Sequence, residues 1–435
     1  MAELKVRGRN RASTSRPRIL VEPSDYFLRN FGDMAMLQSA VERLQTLLPD
    51  AAIEVLTEDP PALARLCPSA IPIAEKRRFF SLKHGYLRSS LHGLLPSRLA
   101  DRVFRRIPRA IAPWLDDRLR ERSQFAKCLR HADALVLGGM GGITDYFGDF
   151  AEGLLKSLEL AIVLNRPVVL VGQGLGPLEN PRLRSLAAAI LPRVELIGLR
   201  EKRAGPALLG SLGVDVARID VTGDDAVEIA YDMRIEKLGS AIGVNLRRAT
   251  YSGVTAELAS KIGQAIQGLA AARNAPLIPL PIQHGYDSDI ESLRSIMPHQ
   301  ADEIDVAEAI SSPSELVRQV QRCRLVITGS YHAGVFALAN GIPVVGIAAS
   351  AYYVDKFEGL ADMFGEGCRV WSPDGADSTE QLRRAADELW ESAERTRSQL
   401  LASAERQIAS CRATYAKIAA LVMSSRGVGA RTAEG

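Results

Sequence analysis

The stretch Arg18–Leu56, RILVEPSDYFLRNFGDMAMLQSAVERLQTLLPDAAIEVL, holds the first readable unit of the chain. Arg18–Glu22 is a short apolar run that predicts a strand, and Ala52–Leu56 predicts another. Between them, Met34, Leu37, Val41, Leu44 and Leu48 recur at helical spacing and predict an amphipathic helix over Asp33–Leu48. Strand, helix, strand is the pattern of a parallel βαβ unit rather than of a sandwich.

The same alternation continues outward. Buried strands are predicted at Asp133–Leu137, Pro167–Val171, Glu195–Leu199, Ala241–Leu246, Pro276–Leu280, Leu325–Thr328 and Pro343–Ile347, and helical patterns separate nearly all of them. A chain of 435 residues exceeds what one core usually supports, so two domains, or three small ones, are expected. A break over Tyr231–Ser240 marks the linker. The division that follows is a basic arm over 1–16, a first α/β domain over 17–235, a second over 236–375, C-terminal helices over 376–425 and a flexible tail over 426–435.

Composition narrows the function classes. Hydrophobic residues at 47% and charged residues at 24% fit a globular protein and exclude a largely disordered one. With 54 basic against 51 acidic residues, the net charge of +3 argues against nucleic-acid binding through a basic surface. Cys67, Cys128, Cys323, Cys368 and Cys411 form no C-x-x-C pair, so neither a disulfide framework nor a zinc site is readable, and a reducing cytoplasm is expected. The N-terminus lacks the apolar segment of a secretory signal, and no run approaches the roughly 18 apolar residues of a membrane span.

One region departs from this balance. The block from Lys76 to Arg130 carries about ten more positive than negative charges, with Phe79, Phe80, Tyr86, Phe104 and Trp114 among its arginines. It reads as inserted helices. Two explanations stand: solvated helical faces, or a patch for an acceptor or the inner face of a membrane.

Ligands of open parallel sheets bind beyond the C-terminal strand ends, so residues there are the candidates for chemistry. Gly138-Gly139-Met140-Gly141-Gly142 and Gly172-Gln173-Gly174-Leu175-Gly176-Pro177 each follow a predicted strand. They can bring backbone N–H groups to an anion or serve as tight turns; neither is a dinucleotide or Walker A motif. Arg200 and Arg247 end strands, Lys356 follows Tyr352-Tyr353, and Thr328-Gly329-Ser330-Tyr331-His332 joins a strand to a helix. That last segment puts an imidazole at a helix N-terminus, beside the place where a phosphate or carboxylate is favoured. Asp287-Ser288-Asp289 has the look of a metal-binding D-x-D but opens a helix, and the histidines lack metal-ligand spacing, so no metal is expected.

Taken in order, these segments resemble the polysaccharide pyruvyl transferase family from about residue 18 to about 366. The set comprises Asn30-Phe31-Gly32-Asp33, Gly138-Gly139, Gly172-Gln173-Gly174 with Gly176-Pro177, Leu199-Arg200-Glu201 and Val221-Thr222-Gly223-Asp224. It continues with the strand ending in Arg247, Ser330-Tyr331-His332, Ala337-Leu338-Ala339, Gly341-Ile342-Pro343-Val344, then Lys356 and Gly359. Many members carry Arg two residues before the His, where this chain has Ser330, and the basic block has no clear counterpart.

The resemblance implies two Rossmann-like domains facing across a cleft, as in GT-B glycosyltransferases. It also implies transfer of the enolpyruvyl unit of phosphoenolpyruvate onto two hydroxyls of a sugar, without a cofactor. The acceptor is then a glycan or a lipid-linked sugar in surface or exopolysaccharide biosynthesis. The expected catalytic residues are His332, with Asp33 or Asp224 as base. Arg200, Arg247, Lys356, Ser330 and the Gly138-Gly139 and Gly172-Gln173-Gly174 turns are expected at the donor. Alternatives are a glycosyltransferase, a sugar-nucleotide epimerase or a non-catalytic scaffold of a polysaccharide assembly complex. A cytoplasmic protein, in peripheral contact with the membrane or not, fits each.

Overall fold

β1 (Arg18–Glu22) and β2 (Ala52–Leu56) pair in parallel, Arg18 opposite Ala52 and Val21 opposite Val55, with the helix Phe31–Leu47 crossing between them. Met34, Leu37, Val41 and Leu44 of that helix are buried against the sheet, as their spacing requires. Its true N-cap is Asn30, whose side chain accepts from the backbone N–H of Gly32 and Asp33 at 3.0 and 3.2 Å. The helix thus begins two residues before Asp33, and the Asp33 carboxylate is left without a capping task.

This computed structural model describes residues 16–74, 86–108, 111–249, 251–285, 287–373 and 378–431. The expected basic arm, Arg16 apart, lies outside the described residues, as do Phe79 and Phe80.

β3 (Ile71–Ile73), β4 (Ala134–Leu137), β5 (Val168–Gln173), β6 (Leu196–Leu199) and β7 (Ile219–Val221) complete a seven-stranded parallel sheet in the order β3-β2-β1-β4-β5-β6-β7. A second parallel sheet runs β9-β8-β10-β11-β12, from β8 (Ala241–Asn245), β9 (Leu277–Pro279), β10 (Cys323–Thr328), β11 (Val344–Ile347) and β12 (Cys368–Trp371). The central strands β1, β4, β5, β8 and β11 are buried along their length but for Arg18, as strands covered on both faces must be. β3, β7 and β12 lie at sheet edges, and their three or four residues are too few for a pattern to announce them.

In each sheet the strand order reverses once, between β1 and β4 in the first and between β8 and β10 in the second. Crossovers leave in opposite directions from such a point, which opens a crevice at the C-terminal strand ends. The two crevices face each other.

The helix Ser378–Arg431 ties the two halves together. Its first turns bury Leu382, Ala386 and Leu389 in the core of the second sheet, and later Leu400, Ala404, Ile408 and Tyr415 join the cluster shared with the first. Ser410 donates to the Val221 carbonyl at 2.9 Å, Lys417 pairs with Asp220 at 2.8 Å, and Arg426 pairs with Asp133 at 2.8 Å. It changes partner halfway and therefore shows no steady heptad. It also runs on to Arg431, past the expected start of the tail at 426.

Candidate active site

A cavity of about 250 Å³ lies where the two crevices meet. From the first half, Ser24 follows β1, Met140, Gly141 and Gly142 follow β4, and Arg200 follows β6; from the second, Arg247 follows β8 and Ser330, Tyr331 and His332 follow β10. Asp33, from the first turn of the helix after β1, and Lys356, from the helix Ala351–Phe364, also line it, as do Asn30, Gln283 and Asp289.

Two helix N-termini converge here. The helix Tyr331–Ala339 opens at Ser330, which makes no side-chain cap, so its first N–H groups and their partial positive charge are left to an incoming anion. Opposite it, the helix Phe31–Leu47 approaches so closely that a Cβ on Gly32 would fall 1.9 Å from Cγ of His332. Only glycine allows the imidazole to lie against that backbone.

The electrostatics are unbalanced. Arg200 Nη1 stands 3.6 Å from Asp224 Oδ2, Arg247 Nη1 bonds Asp289 Oδ1 at 3.0 Å, and among the described residues no carboxylate pairs with Lys356. Burial, with Arg200 adding repulsion, holds the Lys356 ammonium well below the ordinary lysine range. Burial pushes the Asp33 carboxyl up to about 6, against the opposing pull of His332. Burial also works to raise Asp224, yet His332 and Arg200 outweigh it and keep that carboxyl below the usual range.

The two acids named from the sequence occupy different places. Asp33 faces the cavity. Asp224 sits behind it, its Oδ2 3.7 Å from His332 Nε2, and neither atom has a hydrogen-bond partner although both are buried. It is placed to orient the imidazole. Its neighbour Asp225 pairs with Arg43 and accepts from the Cys411 thiol at 3.0 Å, which anchors the turn from beneath.

The glycine turns also separate. Gly174 lines a side pocket with Arg200 and Lys356. Gly138, Gly139, Gly172 and Gln173 do not line the cavity; they pack under its floor. Gln173 donates to the Gly138 carbonyl at 2.6 Å, and Gly172, at φ +56°, lets Asp225 approach where a Cβ would meet its carboxylate at 2.5 Å. Asp289 is consumed in support as well: one oxygen bonds Arg247, the other accepts from Ile282 N, Gln283 N and Asn245 Nδ2.

An aromatic wall borders the cavity. Tyr146 and Phe147 from the first half meet Tyr251, Tyr352 and Tyr353 from the second, with Phe147 5.2 Å from Tyr251 and Tyr146 4.6 Å from Tyr352. Lys356 Nζ sits 4.0 Å over the Tyr352 ring. Aromatic residues scattered over loops and a helix have no spacing signal that could have assembled them.

Two Rossmann-like domains around such a cleft define the GT-B architecture, and solved structures agree. The chain is similar to a putative UDP-N-acetylglucosamine 2-epimerase from Listeria monocytogenes, at 12% identity and a TM-score of 0.52 over 89% of this chain and 91% of that one. It is similar to the UDP-GlcNAc 2-epimerase of Neisseria meningitidis bound to UDP-GlcNAc, at 10% identity and 0.53 over 91% and 99%. A UDP-glucosyltransferase from Polygonum tinctorium gives 13% identity and 0.51 over 94% and 99%. At such identities the likeness is one of fold. No curated protein sequence matches the chain. The sequence model of the polysaccharide pyruvyl transferase family matches residues 30–350, and the chain belongs to that family.

Proposed function

We propose that the protein transfers the enolpyruvyl unit of phosphoenolpyruvate to two hydroxyls of one sugar, forming a cyclic pyruvate ketal and releasing phosphate. The observation that carries this reading is the convergence of Arg200, Arg247 and Lys356, the last without a carboxylate partner among the described residues, on a cavity that also holds His332 and Asp33. Phosphoenolpyruvate bears a carboxylate and a phosphate on one carbon, and three cations with a free helix N-terminus match that charge.

In this mechanism His332 delivers a proton to the terminal carbon of the enol, which becomes the methyl group and leaves an oxocarbenium-like centre. One sugar hydroxyl adds there while Asp33 accepts its proton. The phosphate then leaves with both electrons of its C–O bond, held by the cations, and takes the proton from Asp33, which returns to the carboxylate. The second hydroxyl adds in turn, and its proton restores His332. Asp224 acts as a positioning residue by steadying the imidazole edge. The aromatic wall offers flat apolar faces to the C–H faces of the acceptor ring.

The test is thermal unfolding of the full chain with phosphoenolpyruvate, UDP-sugars and phosphate in parallel. A ligand at 100 times its dissociation constant stabilises the native state by about 2.7 kcal/mol. A rise with phosphoenolpyruvate that Arg200→Ala abolishes is expected; a rise with UDP-sugars alone would replace pyruvyl transfer by glycosyl chemistry.

A further inference from the structure

The helices between β3 and β4 carry a surface that the cleft does not use. The helices Tyr86–Leu94 and Ser97–Phe104 are joined by Asp101, which accepts from Arg88 Nη2 at 2.8 Å and meets His92 Nε2 at 2.9 Å. Asp101 is thus spent inside the pair. Arg98, Arg102 and Arg105 follow at intervals of four and three, so they share one face of the second helix, and all are exposed. Among the described residues, no carboxylate pairs with them or with Arg106.

Exposed apolar side chains belong to the same segment, Leu99 next to Arg98 in sequence. Leu94 is 82% exposed, Leu99 45% and Ile111 47%. Water-facing leucines in one segment with arginines that have no described carboxylate partner make a poor solvated surface and a good interfacial one.

We propose that this insertion docks the protein peripherally on an anionic bilayer, with Arg98, Arg102 and Arg105 over lipid phosphates and Leu94 and Leu99 entering the acyl boundary. A soluble polyanion would satisfy the arginines and leave both leucines in water, so the pairing of the two favours lipid. No described helix is long and apolar enough to cross a membrane, and attachment by a surface patch requires none. The insertion leaves from the C-terminal end of β3, the same edge of the sheet from which the loops after β1, β4 and β6 build the cleft. The attachment itself does not depend on the donor.

Sedimentation of the full chain with vesicles of phosphatidylcholine, with and without phosphatidylglycerol, tests this. Binding is expected only with the anionic lipid and falling with salt. The triple change Arg98→Glu, Arg102→Glu and Arg105→Glu should weaken it by on the order of a hundredfold, given the contribution of each basic residue at a charged surface. Leu94→Asp with Leu99→Asp, which leaves every arginine in place, should weaken it as well. Unchanged unfolding temperatures certify that both variants fold. Absence of binding to anionic vesicles, or binding that either variant leaves intact, overturns the proposal. Retention by the leucine variant with loss by the arginine variant reassigns the patch to a soluble polyanion.

Discussion

Positive charge is concentrated twice in this protein, and the two places are built oppositely. In the cleft, Arg200, Arg247 and Lys356 come from three separate loops and helices, sit in a half-enclosed cavity and face one another at an electrostatic cost. On the insertion, Arg98 and Arg102 come from one helix and Arg105 from its C-cap; they are exposed and repel little, because solvent screens them. Charge gathered against repulsion in a cavity implies a small multivalent anion. Charge spread along an exposed face implies an extended one.

The largest expected effect would break this contrast at its chemical end. His332→Ala should lower kcat by about 10²- to 10⁴-fold, the usual range for a positioned acid, while the unfolding shift with phosphoenolpyruvate persists. Full activity would remove His332 from the mechanism. Gly32→Ala should act through the same ring, since its Cβ needs the space of the imidazole, and should depress kcat without abolishing donor binding.

Arg200→Ala should weaken donor binding by about 2–5 kcal/mol, as losses of buried charge partners do. Titration calorimetry measures it, and the triple glutamate variant of the insertion should leave the same binding unchanged. Lys356 sharpens the comparison through pH. Its ammonium is disfavoured in the empty cleft, so an arriving phosphate raises its pKa and draws a proton in. Phosphoenolpyruvate affinity should therefore decline as pH rises, with proton uptake seen as a buffer-dependent binding enthalpy. Lys356→Met should flatten both.

Asp33 gives the smallest effect, and its sign is definite. Its folded pKa of about 6 exceeds the usual 3.8, so its contribution to stability is complete below 3.8 and lost as pH rises through 6. Above pH 7, Asp33→Asn should raise stability by up to about 3 kcal/mol, while turnover falls. Wild-type turnover should climb through pH 6 as the carboxylate forms.

Much of the cleft was legible because parallel sheets deliver their C-terminal ends to one side. Arg200, Arg247 and His332 each follow a strand that its own apolar run announced, so their meeting follows from topology. The glycine turns illustrate the limit. Gly138, Gly139, Gly172 and Gln173 hold the same kind of position, yet the small size of Gly139 and Gly172 is used for packing against Met36 and Asp225 beneath the floor, where Gln173 donates to the Gly138 carbonyl. Spacing does not say whether a strand end turns up into the cavity or down into the core. Asp33 and Asp224 were equivalent in sequence for the same reason, until Asn30 proved to be the cap and Asp224 proved to lie behind His332.

The sequence by itself determined the parallel α/β character of the fold and the residue types at the strand ends. Hydrophobic period and chain direction are local properties that survive without neighbours. Only the tertiary structure decided which acid faces the cavity, which arginines have no carboxylate partner among the described residues and where five aromatic rings meet. Those depend on distances between segments remote in the chain, and burial, which sets the charge state of Asp33 and Lys356, exists only once the segments have packed.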